Sequence, residues 1–200
     1  MSPVYKFSNV GGFLTKNLYT SALAGNTAVV NDKGSMYPLG VFTLASAQAT
    51  IEFTNIPQTY THLEIRGLSK NTAGSGYILV EYNGDTSTSK YTWHSLSGDG
   101  ASPGTGASAT GTFSGNPITQ TQGGGTSIFS SVIISILDYR NTNKNTTMRA
   151  ISGFDNNGSG TIGLTSGLFV DTNPITSIKL KWSGNNFAAN SSFALYGIQA

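Results

Sequence analysis

Short stretches in which apolar and polar residues alternate recur along the chain from about residue 39 onward. In QATIEFTNIP, Ile51 and Phe53 fall on one side of an extended chain, and in YTHLEIRGLS, Leu63 and Ile65 do so. A half-buried β-strand needs this period of two, because its successive side chains point to opposite faces of the sheet. The pattern predicts about eight to ten short strands and no amphipathic helix after about residue 40.

Two segments allow the position of particular strands in the fold to be predicted. SIFSSVIISILDY carries Val132 and Ile134 on one face and Ile133 on the other, which predicts a strand in the middle of an assembly. Asn83-Gly84 follows YILVEY and readily takes the positive φ angles of a type I′ turn, so a β-hairpin is predicted there. Short strands separated by Gly and Asn turns indicate an all-β fold, an antiparallel β-sandwich of the jelly-roll kind.

Residues 1–38 lack the alternation and are predicted to form an irregular N-terminal arm, ahead of a sandwich domain at residues 39–200. The arm has scattered apolar residues without a periodic pattern, and it cannot bury them alone. It must therefore lie along its own sandwich or along a neighbouring subunit. The residues predicted to make these assembly contacts are Phe13, Leu14, Leu18, Tyr19 and Leu23.

The stretch SGDGASPGTGASATGTFSGNPITQTQGGG, residues 97–125, is dominated by Gly, Ser and Thr. It is predicted to be a long surface loop that joins two halves of the sandwich. Loops of this length without structure of their own are usually functional or disordered. We expect its backbone to be ordered mainly where a neighbour or a target covers it.

Composition excludes several classes of function. Charged residues make up 10% of the chain, the net charge is +2, and the 11 Lys and Arg residues are scattered, which argues against nucleic-acid binding through a basic patch. The absence of cysteine excludes disulfides, Cys-based zinc sites and thiol nucleophiles. No apolar run approaches a membrane span of about 18 residues and no signal peptide is evident, so neither membrane insertion nor export is expected.

Candidate catalytic chemistry is sparse, and no catalytic residue, metal site or cofactor is predicted. The only histidines, His62 and His94, have no metal-ligand spacing and accompany no G-x-S-x-G motif. The G-x-G-x-x-G match at residues 158–163 leads into a strand-like segment, so a hairpin turn is expected rather than a dinucleotide site. A carboxylate pair across a cleft would permit glycoside hydrolysis, although solvated strand faces also account for the strand carboxylates Glu52, Glu64 and Glu81.

Aromatic residues beside the glycine-rich regions raise a second functional hypothesis. Tyr91, Trp93 and Phe113 could stack on sugar rings, which would make the protein a carbohydrate- or receptor-binding module that contacts host surface glycans. Packing in the core or at an interface is the competing interpretation of the same three residues.

A set of phrases along the chain resembles, in order, a family of virion structural proteins of tailed bacteriophages. The phrases are FTNIPQTYTHLEIRGLSKNT, LVEYNGDTSTSKY, ILDYRNTNKNTTMRAISGFDNNGSG, SGLFVDTNPITSIKLKWSGNNF and FALYGIQ, preceded by NLYTSALAGN. The likeness covers most of residues 14–199. Members of the family are described as minor structural, fibre or head-decoration proteins, and the family has no catalytic motif to compare.

The resemblance implies a non-enzymatic structural protein of the virion, assembled in the host cytoplasm. Such a protein would be displayed on the capsid or tail as a decoration or tail-fibre subunit and anchored by its N-terminal arm. The implied partners are other virion proteins and further copies of the chain, as a homotrimer, with a host glycan as the alternative ligand in host attachment.

Overall fold

The computed structural model describes residues 35–73, 76–121 and 127–199. Within these ranges a single 3-10 turn, Thr88–Lys90, interrupts an otherwise β structure. No helix within these ranges is long and apolar enough to cross a membrane. The strands are β1 (Met36–Thr43), β2 (Thr50–Phe53), β3 (His62–Ser69), β4 (Gly76–Tyr82), β5 (Tyr91–Gly98), β6 (Pro103–Ser108), β7 (Asn116–Thr121), β8 (Ser130–Leu137), β9 (Thr146–Asp155), β10 (Gly160–Phe169), β11 (Ile178–Trp182) and β12 (Ser192–Ile198).

The strands form two antiparallel sheets. The large sheet has eight strands in the order β1-β12-β3-β8-β9-β10-β5-β6, and the small sheet has four in the order β2-β11-β4-β7. The core lies between them, where Ile51 and Phe53 of the small sheet and Leu63 and Ile65 of the large sheet are all buried. The prediction of an all-β antiparallel sandwich is therefore confirmed, and so are the inward faces assigned to β2 and β3.

Nested strand pairs give the sandwich its jelly-roll topology. β1 pairs with β12 and β3 with β8 in the large sheet, while β2 pairs with β11 and β4 with β7 in the small sheet. The chain thus runs back along itself like one long hairpin rolled into two sheets. Because β8 lies between β3 and β9, the prediction that this strand occupies an interior position is also confirmed.

Four further strands extend the large sheet beyond the jelly roll. β9 and β10 form a hairpin beside β8, and β5 and β6 form another beside β10. The predicted loop at residues 97–125 is therefore wrong over much of its described part, which contains the end of β5 and all of β6 and β7. Small side chains hide the alternation there, because Gly, Ser and Thr give β6 no apolar side to recognise.

The turn after β4 has the predicted backbone but not the predicted pairing. Asn83 and Gly84 have φ angles of 53° and 69°, and the Asp85 N–H donates to the Tyr82 carbonyl at 2.9 Å. The hairpin prediction is wrong, however, because the chain leaves the small sheet here and β5 pairs with β10 and β6 in the large sheet. The Asn83 side chain accepts the Thr176 N–H at 2.8 Å and so ties this crossing to the segment before β11.

Candidate functional site

A row of exposed aliphatic side chains crosses the outer face of the large sheet. Ile133 lies opposite Ile151, Ile151 opposite Leu164, and Leu164 opposite Leu96. We call these four residues the apolar row. They are between 40% and 55% exposed, although side chains directly opposite on neighbouring strands are only about 5 Å apart. The row is therefore a continuous band of hydrocarbon presented to solvent.

The apolar surface continues two residues further along the strands, towards the β5–β6 and β9–β10 turns. Ile162 is 59% exposed and projects from a floor that includes Gly98 and Gly153, its register partners on the two neighbouring strands. Grooves of about 670 and 550 Å³ run along either side of this projection. Contiguous exposed apolar surface with relief of this kind is typical of an interaction site on a folded domain.

A polar row bounds the apolar row on the opposite side. Going across the sheet, Glu64 lies opposite Ser135, Ser135 opposite Arg149, Arg149 opposite Ser166, and Ser166 opposite His94. An apolar centre with a polar margin is the usual anatomy of a protein interface.

A single charged residue stands in line with the apolar row, at its β3 end. Arg66 lies opposite Ile133, and its Nε donates to Oε1 of Glu64 at 2.8 Å. The guanidinium also lies 5.9 Å from the ring centroid of Tyr196. The charge of Arg66 is therefore already compensated by Glu64 and Tyr196. In a contact with another protein, Arg66 would not be an unpaired charge.

The apolar row occupies the strands that extend the jelly roll. Only Ile133 belongs to a jelly-roll strand, β8, whereas Ile151, Leu164 and Leu96 come from β9, β10 and β5. Sequence reasoning recognised Ile133 as part of a second apolar face but missed the other three. The alternation of GTIGLTSGLF indicated a strand, but it did not show that the side carrying Ile162 and Leu164 faces outward.

The structure contradicts the predicted glycan contact at Tyr91, which is 1% exposed. Its ring packs against those of Tyr82 and Phe169, with centroid distances of 6.3 and 5.0 Å. Its hydroxyl donates to the Asp85 carbonyl at 2.8 Å, and burial raises the pKa of this phenol. Tyr91 is a core residue because β5 presents it to the space between the sheets.

The other two predicted glycan contacts, Trp93 and Phe113, pack against each other with ring centroids 6.2 Å apart. Tyr77 continues the cluster, 5.8 Å from Phe113 and 40% exposed. A Cβ on Gly106 would lie only 2.8 Å from the Trp93 ring, so β6 covers part of that ring. Their role as glycan contacts stays a prediction.

The predicted assembly residues Phe13, Leu14, Leu18, Tyr19 and Leu23 lie outside the described residues. β1 begins at Met36, so the last residues of the predicted 1–38 arm belong to the sandwich.

The two histidines are far apart in the fold. His62 begins β3 and its Nδ1 accepts the Asp138 N–H at 2.9 Å, whereas His94 lies in the polar row on β5, with three strands between them. The glycine match at residues 158–163 begins in the predicted hairpin turn between β9 and β10, where Asn157 and Gly158 have φ angles of 53° and 93°, and continues into β10. Among the described residues, no group of three His, Asp or Glu side chains is placed to hold a metal ion.

Glu81 corrects the expectation that the strand carboxylates lie on solvated faces. It is 1% exposed and forms ion pairs with Lys181 and Lys179, and Ser114 contacts its Oε1 at 3.3 Å. The chain between β6 and β7 covers it, since a Cβ on Gly115 would lie 3.1 Å from the Glu81 Cγ. The carboxylate is thus part of a structural charge cluster on the small sheet.

Lys90 lies between two carboxylates at the crossing between the sheets. Its Nζ is 2.7 Å from Oδ2 of Asp171 and 2.8 Å from Oδ2 of Asp85. The hydrogen bonds from Lys90 lower the pKa of both carboxyls, and the N–H groups of Ser87 and Asn173 lower them further. Both groups are therefore ionised at neutral pH, which is the opposite of what a general acid in glycoside hydrolysis requires.

This cluster predicts an acid-dependent stability. A carboxyl with a lowered folded-state pKa stabilises the fold when ionised, so its contribution is present above about pH 4 and is lost as the pH falls through the lowered pKa. We expect the free energy of unfolding to decrease below about pH 4, and to decrease less steeply in Lys90→Met. Urea denaturation across this range measures both slopes, and equal slopes for the two proteins would contradict the prediction.

No protein-family model, no curated protein and no solved structure matches this chain. The surface chemistry of the sandwich and the resemblance of the sequence are therefore the basis for a functional hypothesis.

Proposed function

We propose that the protein is a non-enzymatic structural subunit of a bacteriophage virion. In this proposal it is displayed on the capsid or tail as a decoration or fibre-type subunit, and residues 1–34 anchor it to other virion proteins. The observation that carries the proposal is the apolar row with its polar margin. A jelly roll does not need the extra strands that bear this row, and their outer face is suited to contact with another protein surface.

The polar groups of the described residues support the same proposal. Glu81, Asp85 and Asp171 are held in ion pairs with lysines, and His62 accepts a backbone hydrogen bond. These contacts stabilise strand ends and sheet crossings. A structural subunit needs such contacts, whereas an enzyme needs acids and bases that are free to exchange protons with a substrate.

Deletion of residues 1–34 tests the anchoring role. Because β1 begins at Met36 and the sandwich has its own core, we expect the truncated chain to fold with an unchanged β-sheet circular dichroism spectrum. We also expect it to be lost from purified phage particles when it is supplied in place of the full chain. Immunoblotting of particles from an infected host measures incorporation. Normal incorporation of the truncated chain would contradict the proposal.

The aromatic cluster of Tyr77, Trp93 and Phe113 favours one alternative, binding of a host surface glycan. The exposed ring of Tyr77 beside Phe113 is the specific observation in its favour. A glycan array with the full chain and with Phe113→Ala decides between the two. Binding to a defined glycan that Phe113→Ala abolishes supports the alternative, and no binding to any glycan removes it.

A further inference from the structure

We propose that the outer face of the large sheet packs against the same face of a second copy of this chain. This inference deepens the proposed function by naming the partner of the apolar row. It does not involve residues 1–34 and depends only on the described sandwich. The two sheets would stack face to face, as sheets do inside a sandwich, about 10 Å apart.

The size of the face suits a stable protein contact. The axis described next overlaps six of the eight strands, from β3 to β6, and at a spacing of about 4.8 Å with about seven residues of about 3.3 Å each these give an area of about 670 Å². A stable interface of standard size buries about 600–1,000 Å² on each partner. A small ligand or a single peptide strand would leave most of this face in water, whereas a second sheet covers it.

The projecting and recessed positions of the face are arranged so that two copies of it fit together. A twofold axis parallel to the strands, between β9 and β10, brings β10 of one copy over β9 of the other at the same height. Ile151 then faces Leu164 of the second copy, and Ile133 faces Leu96. Ile162 of each copy lies over Gly153 of the other copy, because Ile162 and Gly153 are register partners across β9 and β10. Each copy therefore inserts a side chain where the other has none.

The same axis places no charged residue directly opposite a like charge. Arg149 faces Ser166 of the second copy, because these two residues are register partners across β9 and β10. Arg66, in line with the apolar row on β3, faces Thr105 at the opposite end of the row on β6. With a net charge of only +2, the chain also has little overall repulsion between copies.

The stoichiometry follows from the symmetry. A twofold contact uses the same patch on both copies and therefore joins copies in pairs. The pairing would replace the homotrimer that the sequence resemblance implies, or it would join two such trimers.

Sedimentation of the full chain tests the contact directly. We expect the wild type to self-associate in even numbers, and Leu164→Glu and Ile151→Glu to weaken that association by about 100-fold or more, because each places a charge at the centre of the apolar row. Thr50→Glu is the matched control, an exposed strand residue of the small sheet opposite Lys181, and should associate like the wild type. Unchanged thermal unfolding of each variant, at a protein concentration low enough to keep the chain monomeric, shows that the fold is retained.

Cross-linking tests the orientation, because the native chain has no cysteine. Ile151→Cys mixed with Leu164→Cys should give a covalent dimer with a short bis-maleimide, and Thr50→Cys should not. A wild type that is monomeric at about 100 μM, an oligomer unaffected by Leu164→Glu, or equal cross-linking of the control would each overturn the inference. Particle incorporation is scored separately: a dimer that never enters particles contradicts the proposed function and leaves this contact standing.

Discussion

Replacing Lys181 by Met is expected to lower the free energy of unfolding by about 3–5 kcal/mol. Lys181 forms an ion pair with the buried carboxylate of Glu81, and the second cation, Lys179, is farther away at 4.0 Å. Loss of Lys181 leaves a carboxylate that is 1% exposed with one distant partner and one hydroxyl contact from Ser114. Urea denaturation of the variant and the wild type at neutral pH measures the difference.

Two further variants identify the cause of that loss. Glu81→Gln combined with Lys181→Met removes the buried charge as well, so the double variant should recover a large part of the stability that Lys181→Met loses. Lys144→Met is the control, because Lys144 pairs with Asp138 at a position where both side chains are at least one third exposed, and its loss should change stability by about 0.5 kcal/mol or less. A loss below about 1 kcal/mol for Lys181→Met would show that the small sheet does not depend on this ion pair.

Alternation predicted β2 and β11 of the small sheet well because the two sides of each strand differ strongly in polarity. In β11, Ile178, Leu180 and Trp182 face the core, while Lys179 and Lys181 face outward. The sequence could not show that Glu81 is buried on that outer side. The residues that cover it lie beyond β6, more than thirty positions along the chain, and their placement depends on the crossing between the sheets.

The strand β10 shows where the same reasoning fails. Its aliphatic residues Ile162 and Leu164 are exposed, while Gly163, Thr165 and Gly167 face inward. At Gly167 the inner side has to be small because the Asn116 side chain lies against it, and a Cβ on Gly167 would be 2.7 Å from the Asn116 Cγ. Alternation defines two sides of a strand but does not say which one is inside, so the apolar row could be found only from the structure.

Asn116 also joins the two sheets directly through hydrogen bonds, in addition to the apolar core between them. Its Nδ2 donates to the Thr92 carbonyl at 2.9 Å and to the Leu168 carbonyl at 3.2 Å, so a residue of the small sheet binds the backbone of β5 and β10. A lone Asn-Pro in a glycine-rich stretch indicates only a turn from sequence. The contact depends on both hairpins being in place, and no local pattern could predict it.

Phe169→Ala is expected to lower the free energy of unfolding by about 3–5 kcal/mol through the cavity that it leaves. Phe169 ends β10, is 1% exposed, and has its ring centroid 5.3 Å from that of Tyr82 and 5.0 Å from that of Tyr91. Tyr82 belongs to the small sheet and Tyr91 to β5, so this ring joins the added strands to the jelly roll. Urea denaturation at a protein concentration low enough to keep the chain monomeric measures the change, since self-association would otherwise add to the stability.

Leu164→Ala, on the same strand, is the control for Phe169→Ala. Its expected effects on monomer stability and on self-association are the reverse of those of Phe169→Ala. Leu164 is 52% exposed on the outer side of β10, so its truncation should change the stability of the monomer by about 0.5 kcal/mol or less. It should nevertheless weaken self-association, because it removes hydrocarbon from the centre of the apolar row. If Leu164→Ala instead destabilised the monomer as much as Phe169→Ala does, the row would belong to the core of the single chain, and the outer face of the large sheet would not be a contact surface.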